Sequence, residues 1–111
     1  MISMTFQSKL KAFSEGVAKI PGDVFHYRRS QLSPPYTVWQ EDGADQLETD
    51  NRVAELSPSG TLDYYTKKEL DPNVDAIQPV LNSLPIAWSL NSVQFEEDSG
   101  IIHYEWVWSW P

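Results

Sequence analysis

The chain has 111 residues, 41% of them hydrophobic and 22% charged, with sixteen Asp and Glu against eight Lys and Arg for a formal charge of −8. That is enough for one hydrophobic core and too little for two, and the balance is that of a folded domain rather than a disordered chain. Cysteine is absent, which excludes a disulfide framework and thiolate metal sites. The acidic excess argues against a sequence-independent nucleic-acid binder, whose affinity rests on neutralising phosphates.

Phe6, Leu10, Phe13, Val17 and Ile20 recur at spacings of four and three, the stripe of an amphipathic helix. Thr5 suits its N-cap and Pro21-Gly22 stops it; Lys9, Lys11 and Glu15 fall mostly off the apolar stripe. Val24–Tyr27 is a short β-prone run, followed by an extended connection through Pro34-Pro35. Tyr36–Gln40 predicts a strand ending in the turn chemistry of Glu41-Asp42-Gly43, with a polar loop to about Asn51. Arg52–Leu56 extends a strand or not; Pro58 makes the stretch before Gly60 a bulge, an edge or a turn. Thr61–Lys67 is a second firm strand.

Asp71-Pro72 is a strong helix start, and Val74, Ile77, Leu81 and Leu84 continue the helical spacing to Pro85. Pro79 predicts that this helix is bent or broken, since it removes a hydrogen bond and crowds the preceding turn. In Ala87–Phe95 the pair Trp88/Leu90 and the pair Val93/Phe95 have opposite parity, so a β-bulge is expected near Asn91-Ser92. Glu96–Gly100 is hairpin-turn chemistry, and Ile101–Pro111 returns in strict alternation. The expected fold is one α+β domain, 1–111, with a mainly antiparallel sheet of about four strands and two helices in the order α-β-β-α-β-β.

No motif of catalysis stands out. His26 and His103 lie far apart without metal-ligand spacing, and serine occurs in no nucleophile-elbow context. The carboxylates of Glu41-Asp42 and Glu96-Glu97-Asp98 fall in predicted turns, where water keeps them ordinary. The expectation is a non-enzyme with no metal and no cofactor. No apolar run reaches the roughly 18–20 residues of a membrane span, and the N-terminal residues carry no signal-peptide pattern, so a soluble cytoplasmic protein is expected.

Two features invite function. Ile102, Tyr104, Trp106, Trp108 and Trp110 share one side of the last strand. Tyr104 and Trp106 suit a core. Trp108 and Trp110, near the terminus, suit either that core or a subunit interface, since tryptophan is enriched at interface hot spots. Exposed instead, Trp108, Trp110 or Trp39 would give a platform for a peptide or carbohydrate. The second feature is the acidic stretch, with Asp42, Asp45, Glu48 and Asp50 at its centre. It reads as a solvated loop, or as a surface that repels DNA or attracts a basic partner.

Three strings carry a resemblance: PGDVFHYRRSQLSPPYTVWQEDG (Pro21–Gly43), GTLDYYTKKELDPNVDAIQPVLN (Gly60–Asn82) and WSLNSVQFEEDSGIIHYEWVWSW (Trp88–Trp110). Together they resemble small phage and prophage tail terminator, or tail completion, proteins, with related head–tail connectors sharing much of the pattern. The resemblance implies a non-enzymatic structural protein that forms a homo-oligomeric ring, possible as a hexamer, at the end of the tail tube. The implied partners are copies of itself, the tail tube protein and the head connector protein. The implied location is the host cytoplasm during virion assembly and then the tail or neck of the virion. Such a ring would carry −8 per subunit, and an acidic lumen formed by Asp42, Asp45, Glu48 and Asp50 would let DNA pass without sticking.

Overall fold

The computed structural model describes residues 4–30, 33–49 and 52–111, and only the backbone of 47–49 and 52–54. Chain order is α1 (Phe6–Val17), β1 (Val24–His26), β2 (Tyr36–Thr49), β3 (Arg52–Thr66), α2 (Pro72–Asn82), β4 (Ala87–Glu96) and β5 (Ile101–Ser109). The strands form one sheet in the order β1-β2-β3-β5-β4. Every pairing is antiparallel except β1 with β2, which is parallel. The α+β class is as expected, with five strands in a mixed sheet.

Both helix starts are where their capping residues put them. Thr5 Oγ1 accepts from the Ser8 N–H at 3.0 Å, and Ser8 Oγ accepts from the Thr5 N–H at 2.7 Å, a reciprocal capping box. Asp71 accepts from the Asn73 N–H at 2.9 Å, with Pro72 opening α2. Of the bend or break expected at Pro79, the break does not occur: α2 runs through it. Pro79 and Asp75, whose carbonyl loses its intrahelical donor, both lie on the exposed side, where water can take up the freed carbonyl.

Leu10, Phe13, Val17 and Ile20 from α1 with its C-terminal turn, and Ile77 and Leu81 from α2, share one core with Trp39, Leu62, Tyr64, Trp106, Trp108 and Trp110. Cross-strand partners lie on the same side of a sheet. The rows Trp39–Leu62–Trp106–Leu90 and Thr37–Tyr64–Tyr104–Val93 therefore define a single helix-facing side. Gly16 brings the helices together: a Cβ there would come within 2.4 Å of Leu84 Cδ2.

The largest departure from expectation is the segment 41–60. Instead of a loop and an interrupted strand, it forms a hairpin ladder in which Asp45 faces Ser57 and Ala44 faces Pro58. The register shifts between Glu41 and Gly43, which makes Asp42 the bulge residue, and again between Leu47 and Glu48. Pro58 fits because its carbonyl, which accepts the Trp110 N–H at 2.9 Å, points to the side where β5 has ended. The β3–β5 ladder stops at Ser59, so the hairpin projects as a two-stranded arm and the molecule is 53 Å long.

Lys9 ties this arm to α1. It is buried at 1% exposure rather than off the packed face, with Nζ 2.5 Å from Glu55 Oε1 and 2.9 Å from Ser57 Oγ. The arm brings acceptors over that side of α1, so an ammonium there is paired rather than stranded.

Candidate functional site

The helix-facing side of the sheet is not uniformly covered. Toward β5 it is closed: Trp106 is fully buried, and Trp108 stacks on Phe13 with ring centroids 4.0 Å apart. Toward β4 the cover ends. Leu90, Val93 and Phe95 are 45%, 53% and 63% exposed, although they share rows with Trp106, Tyr104 and Ile102. The expected bulge is present, with the register shifting between Leu90 and Ser92. By skipping Asn91 it returns Val93 and Phe95 to the side that Leu90 occupies.

β4 is also the edge of the sheet. Natural edge strands are commonly blunted by lysine, proline, brevity or a β-bulge. The ten residues Ala87–Glu96 contain no Lys, Arg or Pro, and their only charge is the final Glu96. The bulge at Asn91 is the one such feature here. An edge of this kind offers backbone donors and acceptors together with an apolar side.

The interface expected at Trp108 and Trp110 is corrected by their packing. At 3% and 6% exposure both belong to the chain's own core. The strand does not fray, because Ser109 pairs with Ser59 and Ala87, α1 covers Trp108, and the Trp110 N–H bonds Pro58. Trp39 is likewise buried, so none of the three offers a platform for a sugar or peptide. Of the acidic set, Asp42 and Asp45 are exposed on the arm. Glu48 lies on β2 with its side chain outside the described residues, and Asp50 lies wholly outside them. The predicted acidic loop is thus corrected to the two strands of the arm.

Two polar clusters complete the surface. On the side of the sheet without helices, His103 Nε2 lies 2.6 Å from Asp63 Oδ1 and the imidazole stacks on Tyr65. Burial pushes the Asp63 carboxyl above its ordinary range despite the His103 hydrogen bond. Tyr65 is raised to about 12 by burial and then by the Asp63 charge. Glu105, in the same row, accepts from Asn91 Nδ2 at 2.7 Å.

The second cluster fixes the end of β1. His26 lies between Trp39 and Tyr27, at 3.7 and 3.8 Å between ring centroids. Glu41 accepts from the Tyr27 hydroxyl and lies 2.8 Å from His26 Nε2. Burial raises the Glu41 carboxyl, but these hydrogen bonds outweigh it and hold it below its usual value. Tyr27 has φ +71°, which an aromatic residue adopts only when its surroundings impose it. Beyond this left-handed turn Arg28 and Arg29 are exposed, and Arg29 lies over the Tyr36 ring on the side of the sheet without helices. A cleft of about 430 Å³ there is lined by both arginines, Tyr27, Tyr36, Val38 and Tyr65. Arg29 donates to the Tyr36 hydroxyl at 2.8 Å.

Sequence reasoning found β4 and its bulge but not its exposure, and it passed over the arginine pair. The legible signal was a long β-prone run without an internal charge, paired with an acidic turn. Among the described residues no group of three or more His, Cys, Asp or Glu is placed to hold a metal ion. No helix among them is long and apolar enough to cross a membrane. Comparison with known proteins finds no matching family model and no matching curated protein.

Proposed function

We propose that this chain is a structural subunit of a phage or prophage tail, of the tail terminator or head–tail joining kind, and that it works by closing into a homo-oligomeric ring. The observation that carries the reading is the β4 edge: a ten-residue strand, open on one side, whose apolar residues continue the core past its helical cover. Such an edge is suited to pairing with another chain. An open sheet has two unlike edges, and copies joined through unlike surfaces give a closed ring when the rotation per copy closes. The resemblance of Pro21–Gly43, Gly60–Asn82 and Trp88–Trp110 to tail terminators supplies the class of ring.

On this reading the tail tube protein and the head connector lie above and below the ring, and the acidic arm is the part that keeps passing DNA from sticking. Light scattering behind a sizing column, over a wide concentration range and with negative-stain images, tests it. A discrete closed ring is expected, alone or on the open ends of tail tubes. A chain that stays monomeric at every concentration and also ignores tube ends would overturn the proposal.

A further inference from the structure

We propose that the cleft walled by Tyr27, Tyr36, Val38 and Tyr65 and flanked by Arg28 and Arg29 binds a phosphate monoester carried on a planar ring; this stands apart from the assembly reading above.

The charge pattern points to an anion. The chain has sixteen carboxylates for eight Lys and Arg, so a cation has no shortage of acidic partners. Yet Arg28 and Arg29, both exposed, make no ion pair with a described residue. Both line this one cleft of about 430 Å³, a size within the roughly 300–1,000 Å³ of small-molecule sites. Arg29 is held in place: it donates to the Tyr36 hydroxyl at 2.8 Å, and its guanidinium carbon lies 5.4 Å from the centre of the Tyr36 ring. Tyr36 is 2% exposed and packs against Tyr65, with 5.0 Å between ring centroids, so the anchor itself is fixed. One hydroxyl engages one guanidinium nitrogen and leaves most of the five N–H donors for a ligand. The strained Tyr27, at φ +71°, leads directly into the arginine pair, and strain of this kind clusters at ligand clamps.

The same residues narrow the ligand class. Two guanidiniums set a local charge of about +2, which a phosphate monoester matches with roughly −1.5 to −2 and three acceptor oxygens. A single carboxylate would leave one guanidinium unmatched. The tyrosine and valine walls offer apolar contact to a flat ring. Asp63, level with Val38 on the same side of the sheet, does not line the cleft and is engaged by His103 at 2.6 Å. A nucleic-acid strand is a poor occupant, because its many phosphates meet the acidic remainder of the chain. One phosphate sees mainly the two arginines, since charges beyond about 10 Å are screened.

The test is an NMR titration of the full chain with phenyl phosphate. Saturable shifts of the Arg28 and Arg29 amide signals are expected, with a Kd below about 1 mM. Phenol, which lacks the charge, and inorganic phosphate, which lacks the ring, are each expected to bind at least about tenfold more weakly. Adenosine monophosphate separates the sources: tighter binding than phenyl phosphate assigns the ring to a nucleotide, and weaker binding assigns it to an aryl phosphate. Arg28→Gln/Arg29→Gln, checked by circular dichroism, is expected to weaken phenyl phosphate at least about tenfold, and Arg28→Gln alone about fivefold. No saturable shift up to about 10 mM would overturn the proposal, as would unchanged binding by the folded double variant or by Arg28→Gln. Phenyl phosphate binding no better than inorganic phosphate would overturn it too.

Discussion

Trp106 and Phe95 lie on the same side of the same sheet, one on β5 and one on β4, yet the first is fully buried and the second 63% exposed. Their sequence contexts are alike: alternating strands rich in apolar residues, flanking one acidic turn. The difference is where the helices lie. Asp71 fixes the start of α2 by accepting from the Asn73 N–H, the Tyr64 hydroxyl at 2.6 Å and Thr66 Oγ1 at 2.8 Å. Phe95 is level with Thr66 on β3, and Leu90 is level with the buried Trp106, so the helical cover stops across the sheet, short of the edge strand β4. Burial on this sheet is assigned by the reach of two short helices, and what they leave bare is available to other chains.

Substitutions can break that contrast. Trp106→Ala is expected to cost about 3–5 kcal/mol, the range for emptying a core aromatic site, measured by denaturant unfolding of the monomer. A small loss there would mean that the tryptophan wall is not the core.

Gly60→Ala comes next, at roughly 3 kcal/mol, toward the upper end for overpacking. A Cβ at Gly60 would lie 1.9 Å from the Gln40 carbonyl oxygen, backbone that cannot swing away. This strand crossing sits in the row of Trp108 and Trp88, at the opposite end of the covered side from Asp71. Thermal unfolding would expose a tolerant site at once.

Asp71→Ala should cost about 2 kcal/mol at neutral pH, combining a lost N-cap with a buried tyrosine hydroxyl deprived of its acceptor. Burial raises the Asp71 carboxyl, but its three hydrogen bonds outweigh that and hold it below the ordinary value. Its contribution is therefore complete above about pH 4 and is lost as the pH falls through the ordinary and then the lowered value. The gap between variant and parent should close on acidification; a constant gap would mean that the ionised carboxylate is not what holds the helix. Asp63 has the opposite sign. Its raised value adds stability at low pH that disappears as the pH rises through it.

Phe95→Ala should change monomer stability least, by no more than about 0.5 kcal/mol, as at an ordinary surface position. A cost approaching that of Trp106→Ala would erase the contrast and place Phe95 in the core of the single chain.

Much of the local structure was legible in the chain. Thr5 and Asp71 start the helices because their side chains satisfy amide groups that no helix can satisfy for itself. The parity change between Leu90 and Val93 announced the bulge, because a strand has period two and one extra residue reverses it. The arm was not legible: Asp42, Gly43, Pro58 and Gly60 all disfavour strands locally, and only a partner strand offering a full ladder outweighs them.

By itself, then, the sequence determined the elements whose cause lies within a few residues: two capped amphipathic helices, a bulged strand, an acidic turn and an alternating tryptophan strand. Tertiary structure alone decided which apolar residues are covered. It closed Trp108 and Trp110 into the core, buried Lys9 beneath the arm against Glu55 and Ser57, and left Leu90, Val93 and Phe95 at an open edge. The physical reason is that periodicity tells which side of an element is apolar, whereas burial depends on what distant segments of the chain place over that side.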